Sequence, residues 1–136
     1  FRNDALFDER LPKKVSEPSA QRCLEHGVGI IHEGLSKAEV SLVKGLFAKG
    51  AIRLLVVTAA FCWELSGLEA HAVILLDVER YDSGEGRMTE YPIADVLQME
   101  GLAALTLQTA DGAKRLAPKC LLMCYTPRRD YFVKFL

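Results

Sequence analysis

Few residues in this sequence have the type and spacing to do chemistry. His32 stands beside Glu33, an acid and a base in type, but sequence neighbours need not point at one another and nothing nominates a nucleophile, so general catalysis lacks support. Thr58 follows the apolar run Leu54 to Val57. Its hydroxyl and amide could hold a phosphate or cap the helical turn that follows, and spacing alone favours the cap. Trp63 could stack on a base or plug a core, His71 opens an apolar run as a structural, hydrogen-bonded residue, and Arg128-Arg129 with Lys134 could hold phosphate or form a solvated face. Cys23, Cys62, Cys120 and Cys124 show neither a Cys-x-x-Cys pair nor a histidine at zinc-finger spacing, which predicts reduced thiols and no metal site. Gly-x-x-x-x-Gly-Lys-Ser/Thr, Gly-x-Gly-x-x-Gly and Gly-x-Ser-x-Gly are all absent. No catalytic residue is assigned, and the chain is not expected to be an enzyme by itself.

Residues 1–15 mix charges with no stable period and read as a loose lead-in. A helix is predicted from Ser16 to His26, with Ser16 as N-cap, Pro18 in the first turn and Gly27 as the stop. Val28 to Ile31 reads as a short buried strand. Ser36-Lys37-Ala38-Glu39 is a capping box, opening a helix whose Val40, Val43, Leu46 and Phe47 form one apolar stripe and which Gly50 ends. Ile52 to Val57 reads as a strand apolar on both faces, followed by a helical turn from Ala59 to Glu64 and a second such strand, Ala72 to Leu76. Tyr81 to Tyr91 and Thr106 to Lys114 read as surface loops, Pro92 starts a helix reaching Glu100, Cys120 to Cys124 is a fourth strand, and Pro127 to Leu136 a closing helix.

Strands alternating with helices predict an α/β domain with a three-layer, open, mainly parallel sheet. Ligands of such sheets bind outside the carboxyl ends of the strands. His32, Thr58, Asp77 and Tyr125 each follow an apolar strand, so all four are expected on that edge.

The 136 residues suit one domain, half of them are apolar, and the net charge of −1 argues against a strongly basic nucleic-acid binder. RNA binding would have to rest on a few placed groups. The apolar runs are far shorter than the roughly 18 residues that cross a bilayer, and Phe1 to Arg10 lacks a signal-peptide h-region, so an intracellular protein without a membrane partner is expected.

Taken in order, several stretches resemble motifs of the second RecA-like lobe of Ski-two-like superfamily-two RNA helicases. Gly27-Val28-Gly29-Ile30-Ile31-His32-Glu33-Gly34-Leu35 is similar to the family's Gly-Val-x-x-His-His-Ala-Gly-Leu. Val57-Thr58-Ala59-Ala60-Phe61-Cys62-Trp63 with Ala70-His71-Ala72 is similar to motif V and the Ala-His that follows it. Tyr91 to Met99 and Cys120 to Leu136 resemble the C-terminal cassette of the family's spliceosomal members. The resemblance covers about Leu24 to Leu136, and the lobe is placed at residues 16–136.

The resemblance implies a RecA-like (P-loop NTPase-like) lobe that packs on a first RecA lobe, with ATP and Mg²⁺ as family cofactors, none needed for folding, and with RNA and other spliceosomal proteins as partners in the nucleus. It implies that His32, Gly34, Thr58 and Ala59 lie along the RNA, and that Ser66, Gln98 and Gly101 face the nucleotide. Motif VI of active relatives reads Gln-x-x-Gly-Arg-Ala-Gly-Arg, where this chain has Gln98-Met99-Glu100-Gly101-Leu102-Ala103-Ala104-Leu105. Leucines at 102 and 105 replace both arginines, and loss of such a finger costs on the order of 10³ to 10⁵ in rate. Glu64 also replaces a glycine of motif V. The expectation is a degenerate helicase lobe serving as a docking and regulatory module in mRNA splicing. Two other readings stay open: the lobe of an active ATP-dependent helicase using a non-motif arginine, and a free-standing α/β interaction module.

Overall fold

A computed structural model describes residues 1–109 and 112–134, and for residues 105–109 and 112–116 the backbone alone. The chain is mixed α/β and divides into two compact units, Phe1–Leu65 and Ser66–Leu136. The positions 110, 111, 135 and 136, which fall in the expected second loop and closing helix, lie outside the described residues.

The first unit contains α1 (Pro18–Glu25), β1 (Val28–Ile31), α2 (Lys37–Ala48) and β2 (Leu54–Val57), followed by a 3-10 turn at Ala59–Phe61. β1 and β2 pair in parallel, Val28 opposite Leu54 through Ile31 opposite Val57, as a strand–helix–strand crossover requires. Gly27 and Gly50, both at positive φ, follow the two helices as expected. The capping box forms: the Glu39 amide donates to Ser36 Oγ at 3.4 Å, while the Ser36 amide donates to Glu39 Oε2 at 2.7 Å. Val40, Val43 and Leu46 of α2 are buried together with Leu24, Ile31 and Ile52.

Ser16 is not an N-cap. Glu17 precedes α1 without a side-chain cap, and the Ser16 amide and hydroxyl instead donate to Glu39 Oε1 at 2.6 and 2.7 Å. A buried carboxylate with open lone pairs competes well for these donors. Nor are the first residues structureless: Phe7, Pro12 and Val15 are buried, a 3-10 turn spans Pro12–Lys14, and Arg2 bridges Ile52.

The second unit contains β3 (Ala72–Leu75), β4 (Glu79–Asp82), β5 (Arg87–Glu90), α3 (Ile93–Glu100), β6 (Leu105–Thr109), β7 (Gly112–Leu116), β8 (Lys119–Leu122) and α4 (Thr126–Val133). β3 and β8 pair in parallel, Ala72 opposite Lys119 through Leu75 opposite Leu122. The two expected loops are antiparallel hairpins, β4 with β5 and β6 with β7. In the first hairpin Asp82 Oδ1 accepts from the amides of Gly84 and Glu85 at 2.8 and 3.2 Å, and Gly86 takes φ +64, so the turn-forming residues shape only the tip. A core of Val78, Val96 and Phe132 packs with Tyr91, Ile93, Met99, Leu122 and Cys124.

The described strands form four two-stranded sheets, β1–β2, β3–β8, β4–β5 and β6–β7. The central strands were expected to be covered on both faces, but each parallel pair buries only one. Leu54 and Val56 of β2 are 41% and 48% exposed, and Ile74 and Leu121 are 57% and 55% exposed. Their inward neighbours are better covered, with Ile31 and Leu75 buried. The two-residue period therefore holds within each strand, one apolar row meeting a core and the other not.

Among the described residues no helix is long and apolar enough to cross a membrane, and no group of three or more metal-ligating side chains is gathered.

Candidate functional site

In the first unit the parallel register decides which residues meet. Because Ile31 lies opposite Val57, the next residues, His32 and Thr58, emerge side by side at the carboxyl end of the ladder, and the Thr58 amide extends it by donating to the Ile31 carbonyl at 3.1 Å. His32 and Thr58 thus share an edge as expected, and Asp77 and Tyr125 likewise follow the paired strands β3 and β8.

The polar contacts at this rim are not those of sequence neighbours. His32 Nε2 is 2.6 Å from Glu17 Oε2, and the Gly34 amide donates to His32 Nδ1 at 3.1 Å. An amide donor requires Nδ1 to be an acceptor, which leaves Nε2 to carry the proton towards Glu17 and fixes one tautomer of the neutral ring. Gly34 must be glycine for this contact, since a Cβ there would lie 2.8 Å from the His32 Cε1. Glu33 points elsewhere: its Oε2 accepts a hydrogen bond from Thr58 Oγ1 at 3.1 Å. Thr58 precedes the 3-10 turn without capping it, so the cap that spacing favours gives way to a carboxylate acceptor.

Glu17 and the Glu33–Thr58 contact were missed by sequence reasoning. The strand ends put Glu33 within reach of Thr58, but a pairing across 25 positions depends on side-chain direction, which no local pattern carries.

Behind the rim, Glu39 accepts from both Ser36 and Ser16, which hold its carboxyl down at about 2, from an ordinary value of 4.5. The Ser36 hydroxyl contributes most, then the Ser16 amide, the Ser16 hydroxyl and the Ser36 amide, and burial opposes them. The charged form of Glu39 therefore pins the start of α2 to the segment before α1.

In the second unit, Gln98 is half-buried on α3 and Gly101 is the exposed C-cap of that helix, its amide donating to the Leu97 carbonyl at 2.9 Å. Leu102 is half-buried and its backbone is tied on both sides: its amide donates to Met99 at 3.2 Å and its carbonyl accepts from Ala70 at 2.9 Å. Ala103 bridges Ala70 in parallel, so the segment after α3 lies beside the approach to β3. Ser66 is exposed, and the Leu105 side chain lies outside the described residues.

Several single residues depart from their expected roles. Trp63 is 57% exposed rather than a core plug, because the turn that carries it directs Cys62 and Leu65 inward instead. His71 is exposed, and its carbonyl accepts from the Lys119 amide at 3.0 Å. Arg128 is paired with Glu90 and lies 4.8 Å above the Tyr131 ring, so it is not a free phosphate ligand. All four cysteines are reduced, and Cys120 has its thiol pushed up by burial, with the charge of Glu100 adding to the effect.

A parallel ladder tipped by His32 and Thr58, with Gln98 on α3 and Gly101 at its end, accompanies a sequence that is similar over about nine-tenths of its length to a stretch of Ski-two-like DExH-box RNA helicases. It is 40% identical over 124 residues to the U5 small nuclear ribonucleoprotein 200 kDa helicase of Homo sapiens, an alignment covering 91% of this chain and 6% of that protein. It is 36% identical over 124 residues to the DExH-box ATP-dependent RNA helicase DExH12 of Arabidopsis thaliana, covering 91% of this chain and 5% of the relative. The activating signal cointegrator 1 complex subunit 3-like protein of Dictyostelium discoideum is 34% identical over 122 residues, covering 90% and 5%. The chain thus spans about one-twentieth of the length of these relatives. No family model matches it.

Proposed function

We propose that residues 16–136 are the second RecA-like lobe of a spliceosomal Ski-two-like helicase cassette, built on a three-layer parallel sheet, and that this lobe docks and regulates rather than drives ATP hydrolysis. In this reading it works in the nucleus during pre-mRNA splicing, against a first RecA lobe and other spliceosomal proteins. Similarity to the human U5 helicase and the two parallel strand pairs support the assignment. His32, Gly34, Thr58 and Ala59 would line the RNA path, and Ser66, Gln98 and Gly101 the nucleotide.

The observation that carries the regulatory half is the pair Leu102 and Leu105. Charge spreads over the phosphoryl group as it transfers, and a guanidinium placed there stabilises that charge. Leu102 offers none, and its backbone is tied to Met99 and Ala70. Leucine at both finger positions does not fit the hydrolytic task. At about 1.4 kcal/mol per decade, a loss of 10³ to 10⁵ is roughly 4 to 7 kcal/mol of transition-state stabilisation.

Similarity to an ATP-dependent RNA helicase of Arabidopsis thaliana favours the active reading, with Arg115, Arg128 or Arg129 acting as finger. Substituting Leu102→Arg and Leu105→Arg together, in a protein carrying both lobes, separates the two. The degenerate reading expects RNA-stimulated hydrolysis to rise at least about tenfold, a small part of what a finger supplies. An unchanged rate would overturn the assignment of these leucines to finger positions.

A further inference from the structure

The strand-tip rim of the first unit contains a contact at odds with phosphate binding. Thr58 has one hydroxyl proton to donate, and it donates it to Glu33 Oε2 at 3.1 Å. A phosphate oxygen needs that same proton. Its other donor at this position is also committed, because the Thr58 amide is bonded to the Ile31 carbonyl.

Glu33 is held in place from both sides. His32 before it is fixed by Glu17 and by the Gly34 amide, and the turn closes with the Leu35 amide donating to the His32 carbonyl at 3.1 Å. Leu35 is buried, and Ser36 immediately after it is locked in the capping box. The carboxylate therefore extends from a backbone that is hydrogen-bonded on both sides.

We propose that Glu33 is a carboxylate latch on Thr58, which lowers the affinity of this rim for RNA phosphate until the carboxylate is displaced. The proposal rests on the reading of Thr58 as a phosphate contact. An approaching phosphate must break the Glu33–Thr58 bond and then share the site with a like charge, while a second carboxylate, Glu17, is held on the His32 ring. The latch is a local electrostatic gate, and its strength must fall with ionic strength because Glu33 and Thr58 are both exposed.

The test is fluorescence anisotropy of labelled oligouridine RNA with the full chain at about 50 mM salt, where phosphate contacts count most. Glu33→Ala removes charge and tether, Glu33→Gln removes the charge alone, and circular dichroism checks that these surface variants keep their fold. Both are expected to tighten binding roughly five- to tenfold, equivalent to about 1 to 1.4 kcal/mol, and the gain should be clearly smaller when Thr58 is valine. Equal gains with and without Thr58→Val overturn the latch, because the effect would then be general charge. If Thr58→Val weakens binding while Glu33→Ala leaves it unchanged, the latch falls and the phosphate reading stands. If no variant binds the RNA, both fall together.

Discussion

The two halves of the chain hold comparable elements in different ways. In Phe1–Leu65, polar side chains reach across the sequence to fix the backbone: Glu39 ties Ser16 to Ser36, Glu17 ties His32, and Glu33 ties Thr58. In Ser66–Leu136, the candidate segment after α3 is held by backbone bonds alone among the contacts described, and the buried apolar residues described there are Leu75, Val78, Val96 and Phe132. A region that keeps precise side-chain pairing retains the means to place a ligand. In the proposed reading, leucine at 102 and 105 leaves this segment its backbone shape without the charge of a finger.

This contrast can be broken by mutation. Leu24, 1% exposed in the first unit, should cost about 2 to 5 kcal/mol when cut to alanine, and Val96, 1% exposed in the second, about 1.5 to 3 kcal/mol. Urea denaturation of the two variants measures both, and equal losses would show the two cores to be alike.

A smaller effect should follow pH. The Glu39 carboxyl titrates at about 2 in the folded chain and at 4.5 ordinarily, so its depressed value stabilises the fold above the unfolded value and the contribution fades as pH falls from 4.5 towards 2. Acid unfolding monitored by circular dichroism should therefore shift to higher pH in Glu39→Gln, and the shift should shrink when Ser16 is already alanine. An unshifted acid midpoint in Glu39→Gln would remove Glu39 as the clasp of the first unit.

Local features of the sequence were legible where local physics decides. Val28–Ile31 was found to the residue, and Ser36 with Glu39 announced α2 because a capping box is satisfied within four positions. The parallel pairing followed from strand–helix alternation, and with it the adjacency of His32 and Thr58. Long-range choices were hidden. Ser16 looks like a cap but serves Glu39, a partner 23 positions away. The hairpins β4–β5 and β6–β7 read as loops because their turn residues are polar and strand pairing is not encoded in either strand alone. The uncovered rows of β2 and β3 were equally hidden, since a run of apolar residues has the same pattern whether or not its outer face is covered.

The most direct measurement is RNA-stimulated ATP turnover by the unaltered two-lobe protein. With leucine at 102 and 105, hydrolysis is expected to stay at the background of the protein-free reaction. Turnover of about 1 s⁻¹ or faster, the lower range of ordinary enzymes, would contradict a degenerate lobe and place the missing charge elsewhere in the cassette.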